Sequence, residues 1–320
     1  MNAAVVFSFD APPRYAPFDE PVAAESEIVI DVLAAGLHPI VKALANGSHY
    51  GSTGVLPFIP GVDGVGRLPD GTQVYFGRSR SPFGTFSERA VTTRQLCFSL
   101  PEGLDAVTAA AVANPGMSSW VALTRRAGFV SGENVLILGA TGVAGQLAVQ
   151  IAKRLGAKRI VAAGRNRKVL EAAGELGADA TIPLDQDHES LVASFRGELA
   201  GAGIDVVLDY LWGHPAETVL EALSQKGLLH AASRVRFIQI GETAGKSISL
   251  RADTLRSSGV ELLGSGFGSA SLDEIFKALA EFFRLAASSP FKIQTRPIPL
   301  RDVEAAWNSS EQGTRLVFLP

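Results

Sequence analysis

Asn134 to Gly145 reads NVLILGATGVAG, and the fold turns on this stretch. Val135-Leu136-Ile137-Leu138 is a near-continuous apolar run that stops at Gly139, as in a parallel strand buried on both faces. A helix opens near Val143 and carries Leu147, Ile151 and Leu155 at four-residue spacing. Gly139, Gly142 and Gly145 give G-x-x-G-x-x-G, a variant of the G-x-G-x-x-G fingerprint. Glycine at such places permits a tight reversal, close approach of backbone to a ligand, and close packing of helix on strand. The unpaired amides that open the helix then face a pyrophosphate. The alternative is an ordinary strand-to-helix turn without a ligand. The apolar strand before the glycines and the periodic helix after them favour the binding turn.

From Asn134 onward, strands and helices alternate. The pattern predicts strands at Val135–Leu138, Arg159–Ala163, Ala180–Ile182, Ile204–Leu208, Gly227–Ala231 and Phe237–Ile240, and helices starting near Val143, Arg167, Glu189 and Pro215. Such a rhythm makes a doubly wound parallel sheet, expected over 118–264. Residues 1–117 read differently. Strand-like runs such as Glu27–Leu33 are broken by Pro57, Pro60, Gly61, Gly64, Gly66, Pro69 and Gly71, as in a small antiparallel barrel. An Ala-rich helix over Asp105–Val112 is expected to break at Asn114-Pro115-Gly116 before a second helical stretch, Met117–Arg126. Residues 265–320 hold a helix at Leu272–Ala287, a short one at Asp302–Trp307 and a strand at Arg315–Leu319. With the parallel sheet complete, this tail is expected to rejoin the first domain.

The 320 residues suffice for two domains, and 47% hydrophobic with 19% charged residues fits folded cores. The net charge of −3 gives no reason to expect a nucleic-acid partner. Cys97 is the only cysteine, so neither an internal disulfide nor a thiolate metal cluster can form. The N-terminus MNAAVVFSFDAPPRY lacks a basic start followed by an apolar core, and no apolar run reaches about 18 residues. A cytoplasmic protein without a membrane segment is the expectation.

Several dispersed segments resemble the medium-chain dehydrogenase/reductases, and within them the zinc-free quinone oxidoreductases and enoyl reductases. They are Ala35-Gly36-Leu37-His38-Pro39, Pro60-Gly61-Val62-Asp63-Gly64-Val65-Gly66, Gly116-Met117-Ser118-Ser119-Trp120, Val135–Gly145, Gly177-Ala178-Asp179 and Gly203–Asp209. They span essentially the whole chain in family order. The resemblance implies an α/β protein, a Rossmann sheet inserted into a discontinuous, GroES-like β-rich catalytic domain. It also implies a homodimer. The zinc-binding branch has a catalytic Cys and a four-Cys lobe, both missing here, so no metal is expected. His38, His49 and Asp63 follow no metal-ligand spacing.

The end of the second Rossmann strand decides the cofactor. NAD enzymes carry an acid there for the ribose 2′-hydroxyl. This chain reads Val161-Ala162-Ala163-Gly164-Arg165-Asn166-Arg167-Lys168, with no acid. Gly164 leaves room where a carboxylate would sit, and a guanidinium suits a 2′-phosphate. Basic residues at a helix start also oppose the helix dipole unless an anion is near. NADPH is therefore expected. Gly139, Thr141, Gly142, Val143 and Ala144 fall to the pyrophosphate turn, and Gly164, Arg165 and Asn166 to the phosphorylated ribose. The resemblance adds Ser118, where the family has a Thr near the nicotinamide ribose, and Gly266 with Phe267 at the return crossover.

A quinone or an alkene conjugated to a carbonyl is the expected acceptor, and its reduction needs a polariser or proton donor. His38 stands where similar reductases carry Asn. It either faces the substrate or is satisfied by backbone groups in the turn before Pro39. Tyr50 matches the tyrosine of an Asn-Tyr-Gly segment implicated as proton donor, and it also reads as an exposed loop tyrosine. Asp63 reads as a structural acid bonded to nearby backbone. Two other functions stay open: an alcohol dehydrogenase or aldehyde reductase, and an NADPH-binding sensor or interaction protein without catalysis.

Overall fold

Alternation of apolar and polar residues in Glu27–Gly36 builds the longest strand among the described residues and buries Ile28, Ile30, Val32 and Ala34 on one side. In the computed structural model, which describes residues 1–224, 232–266, 268–309, 311 and 313–320, the strands in chain order are β1 Asn2–Val5, β2 Arg14–Pro17, β3 Glu27–Gly36, β4 Asp63–Arg67, β5 Gln73–Gly77, β6 Arg89–Thr93 and β7 Cys97–Ser99. They continue with β8 Asn134–Leu138, β9 Arg159–Gly164, β10 Ala180–Pro183, β11 Val206–Asp209, β12 Arg234–Gln239, β13 Gly259–Gly264, β14 Gln294–Pro299 and β15 Thr314–Leu319. Residue contacts divide the chain into a unit of Met1–Asn114 with Ala280–Pro320, and a unit of Pro115–Leu279. Both divisions fall inside continuous helices, Ala106–Val121 and Leu272–Ser288, so no linker marks them.

The first unit is β-rich. One sheet runs β14-β15-β3-β4-β5-β7, with β6 also on β3, and β1 pairs β2 separately. The tail strand β15 joins this sheet through β3, pairing Val317 with Gly36 and Phe318 with Ala35. Cys97 is half-buried against the Ile28–Phe76 cluster, and burial pushes its thiol up.

The second unit is a six-stranded parallel sheet in the order β10-β9-β8-β11-β12-β13. The strand sequence reverses between β8 and β11, which is where open α/β sheets leave a ligand crevice at the carboxyl ends of the strands. All five residues of β8 are buried, as its apolar run requires. Edge strand β13, Gly259–Gly264, has no counterpart among the predicted strands, and the predicted strand Gly227–Ala231 lies outside the described residues. The predicted break at Asn114–Gly116 does not occur. Ala106–Val121 is one helix with Pro115 inside it, followed by a wider turn at Ala122–Ala127. Ala109 to Ala113 are fully buried, and the hydroxyls of Ser118 and Ser119 both donate to the Pro115 carbonyl. Tertiary packing overrides the local breaker. No helix of the described residues is long and apolar enough to cross a membrane.

Candidate active site

The glycine turn lies on the β8 side of the crevice. Gly139 has φ +89°, which only glycine takes without strain, and the amides of Gly139 and Ala140 both donate to the Ala163 carbonyl at 2.9 Å. This pins the turn to the end of β9. A Cβ on Gly145 would lie 2.2 Å from the Gly139 carbonyl oxygen, so the helix and turn touch only because the side chain is absent. Gly142 differs. It precedes the Val143–Arg154 helix with φ −81°, and a Cβ there would meet only the Gly139 oxygen, at 3.5 Å. The protein could therefore accommodate alanine at 142. Lys153 and Arg154 in the last turn complement the helix dipole, whose positive end lies at Gly142.

The end of β9 is built the same way. A Cβ on Gly164 would lie 2.4 Å from Thr141 Cγ2, so Thr141 packs directly on Gly164. Asn166 caps the Arg167–Glu171 helix, its side-chain oxygen accepting from the Val169 amide at 3.2 Å. Arg167 is paired with Asp185 at 2.9 Å, and each partner's ionised form is favoured by the other. Arg165 is exposed and has no ion-pair partner among the described residues. One guanidinium of this basic start is thus neutralised by the protein while Arg165 stays available.

Across the crevice, at the end of β11, sit Asp209, Tyr210 and Trp212, to none of which the sequence assigned a specific role. Tyr210 OH lies 2.6 Å from Ser119 Oγ, and burial pushes the phenol up to about 12, with hydrogen bonding to Ser119 and Ser118 opposing the shift. Ser118 is therefore placed beside Tyr210, and Tyr210 lies beside Gly139, whose added Cβ would meet Tyr210 Cβ at 3.3 Å. Asp209 is fully buried, with its carboxyl raised to about 6 by loss of water, opposed by amide hydrogen bonds. Trp212 follows with φ +56°, ψ −158°. Their only sequence signal is position, directly after the strand at the reversal point. Gly266 is exposed beyond β13, its amide bonded to Ser269 Oγ at 2.7 Å, and Phe267 lies outside the described residues.

In the β-rich unit, His38 precedes the Pro39–Ala45 helix and is 1% exposed. Neither ring nitrogen has a hydrogen-bond partner among the described residues, so it is not a histidine satisfied by backbone. Nε2 lies 3.5 Å from Asp63 Oδ1, an ion-pair distance without hydrogen-bond geometry. Burial holds the imidazole below its ordinary value; Asp63 opposes this and Arg315 adds to it. Asp63 itself departs from the expected backbone-bonded acid. Its carboxylate accepts from Tyr75 OH at 3.0 Å and from Asn114 Nδ2 at 3.4 Å. Arg315, buried, donates Nη1 to the Leu37 carbonyl and is lowered to about 10 by burial, with Asp63 pulling the other way. Tyr50 is 83% exposed, its ring 4.2 Å from that of His49. The His49 amide donates to the Ala43 carbonyl at 3.1 Å, so the loop carrying Tyr50 folds back on the helix that His38 precedes, His38 being buried and Tyr50 open to solvent. Among the described residues no group of three or more His, Cys, Asp or Glu side chains is disposed to hold a metal.

Residues 143–284 match the zinc-binding dehydrogenase family. The chain is 26% identical over 363 aligned positions to the Emericella nidulans protein named "Probable NADPH-dependent quinone reductase tdiC", with all of both chains covered. A Thermus thermophilus quinone oxidoreductase, also solved with NADPH, superposes with TM-score 0.81 at 25% identity over the full length of both chains. These matches support placing the chain with the quinone oxidoreductase-like branch of the medium-chain dehydrogenase/reductases, as the resemblance implied. Human quinone oxidoreductase is 27% identical over 81% of each chain. For this family, the inserted parallel sheet and the β-rich unit closed by the chain's tail are the expected architecture, and both are present.

Proposed function

We propose that this chain is an NADPH-dependent oxidoreductase that reduces a quinone or an alkene conjugated to a carbonyl. The observation that carries it is the paired geometry of Gly142 and Arg165: an open helix start, and an uncommitted guanidinium at the end of β9 where no acid stands. Relatives named as NADPH-dependent quinone reductase, quinone oxidoreductase and trans-enoyl reductase support it. Bound NADPH would supply the hydride. The amides of Val143 and Ala144, with Gly139, Thr141 and Gly142 leaving room, would hold the pyrophosphate. Arg165 would pair the 2′-phosphate, flanked by Gly164 and Asn166. Ser118 would orient the ribose next to the nicotinamide, and Gly266 would lie against the nicotinamide.

Proton delivery falls to Tyr50 or His38. Tyr50 is open to solvent, and its phenol can donate a proton. His38 is favoured as a neutral imidazole by burial, which suits a hydrogen-bonding role better than a cationic acid. Tyr50→Phe should lower kcat with an enone about tenfold or more while leaving NADPH affinity unchanged; turnover equal to wild type would remove Tyr50 from the mechanism. A homodimer in solution and a cytoplasmic location belong to the same proposal.

The direct test is loss of reduced-nicotinamide absorbance with a panel of quinones, enones, aldehydes and alcohols. Oxidation of NADPH by a quinone or enone is expected. Activity confined to aldehydes or alcohols, or none at all, would overturn the proposal. Arg165→Ala should weaken NADPH about ten- to a hundredfold through loss of a charge-assisted bond while scarcely changing NADH. An equal change for both would place the 2′-phosphate elsewhere.

A further inference from the structure

Trp212 occupies a backbone region, φ +56° with ψ −158°, that is nearly reserved for glycine. A tryptophan persists there only if its surroundings hold it. Asp209 does so. Its Oδ1 accepts from the Leu211 amide at 2.8 Å and from the Trp212 amide at 3.0 Å, and Oδ2 lies 3.2 Å from the same Trp212 nitrogen. The turn is closed from the far side as well. Thr243 Oγ1 donates to the Tyr210 carbonyl at 3.0 Å, the Ala244 amide donates to the Leu211 carbonyl at 2.8 Å, and a Cβ on Gly213 would lie 2.7 Å from the Ala244 carbonyl oxygen.

Burying a carboxylate is costly, and loss of water raises Asp209 to about 6. A capping asparagine would hold a plain turn at less cost. What the arrangement achieves is a fixed indole. The Trp212 ring meets Phe237 edge-on, 6.4 Å between centroids. Trp212 lines an open depression of about 370 Å³ together with the apolar Leu262 and Leu263 and the polar Gln239, Glu242 and Lys246. This depression sits at the carboxyl ends of β12 and β13.

We propose that Asp209 is a positioning residue for acceptor binding: it locks the strained Trp212 turn so that the indole walls a site for a planar, mainly apolar ring. The proposal rests on the oxidoreductase reading for the identity of that ring, a quinoid or conjugated carbonyl compound. The clamp itself rests only on the turn geometry. A planar face against indole, with one carbonyl toward the ammonium of Lys246, is the match such a lining recognises.

The test is a double-mutant cycle in the full-length protein with menadione as probe. Menadione affinity is read by quenching of Trp emission, with Trp212→Phe identifying the Trp212 component, and separately as KM in NADPH turnover. Asp209→Ala should shift Trp212 emission to the red and weaken menadione about tenfold, with NADPH affinity changed less than about twofold. Asp209→Asn, which keeps an acceptor oxygen, should restore both. Trp212→Gly takes the turn without strain, so it should weaken menadione as much as Asp209→Ala, and the double variant should lose nothing further. Unchanged emission and affinity in Asp209→Ala, additive losses in the double variant, or equal losses for NADPH and menadione would each overturn the proposal. If Asp209→Ala alone does not fold, the double variant against Trp212→Gly decides: a further loss of menadione affinity refutes the clamp. A wild-type protein that binds menadione without oxidising NADPH would refute the oxidoreductase reading and leave the clamp standing.

Discussion

Replacing Arg236 with alanine should destabilise the parallel-sheet unit by about 3 kcal/mol, the lower end for breaking a buried ion pair because Glu133 keeps some contact with water. Arg236 on β12 is 3% exposed. One of its nitrogens donates to the Ala127 carbonyl at 2.8 Å, and another pairs with Glu133. A single side chain therefore satisfies the end of the Ala122–Ala127 turn, a partly buried carboxylate and the second strand from the sheet edge. Alanine removes the guanidinium from the Ala127 carbonyl and leaves the Glu133 carboxylate with the Val130 amide but no counter-charge, whereas Arg236→Met keeps most of the volume and isolates the electrostatic part. Urea unfolding followed by far-UV dichroism measures the difference. A loss below about 1 kcal/mol would mean that water replaces the guanidinium.

Two glycine substitutions separate folding from binding at the helix start. Gly145→Ala should cost both, because its Cβ would lie 2.2 Å from the Gly139 carbonyl oxygen and 2.6 Å from Ala140 Cα, forcing the helix away from the turn. NADPH affinity should fall about a hundredfold or more as the amide cradle opens. Gly142→Ala should unfold like wild type, since its Cβ meets only an ordinary contact at 3.5 Å. It should still lose about tenfold or more in NADPH affinity, because the methyl would occupy the space proposed for phosphate oxygens. Isothermal titration with NADPH on both variants is the check. Full affinity in Gly142→Ala would remove the pyrophosphate from this turn.

The glycine turn was legible because three local signals coincide there: a fully apolar strand, glycines in place of side chains, and an apolar-periodic helix. The lack of an acid after β9 was equally readable, being a matter of residue type at a known offset. Other features depend on tertiary contacts. Edge strand β13 has a glycine at each end and only partial burial, so its apolar pattern is faint. Pro115 signals a break that burial of Ala109–Ala113 and two serine hydroxyls override. Nothing in Asp209-Tyr210-Leu211-Trp212 announces a left-handed tryptophan, since sequence carries no mark of φ. The Asp63 network joins residues from four distant segments, His38, Asp63 with Tyr75, Asn114 and Arg315, and only the closed sheet brings them together.

The crevice at the reversal of the parallel sheet is proposed to take a dinucleotide with a phosphorylated ribose. Titrating the wild-type protein with NADPH and with NADH under identical conditions tests it most directly. NADPH is expected to bind at least about tenfold more tightly, with the difference abolished in Arg165→Ala. Equal affinity for the two, or no binding of either, would contradict the account.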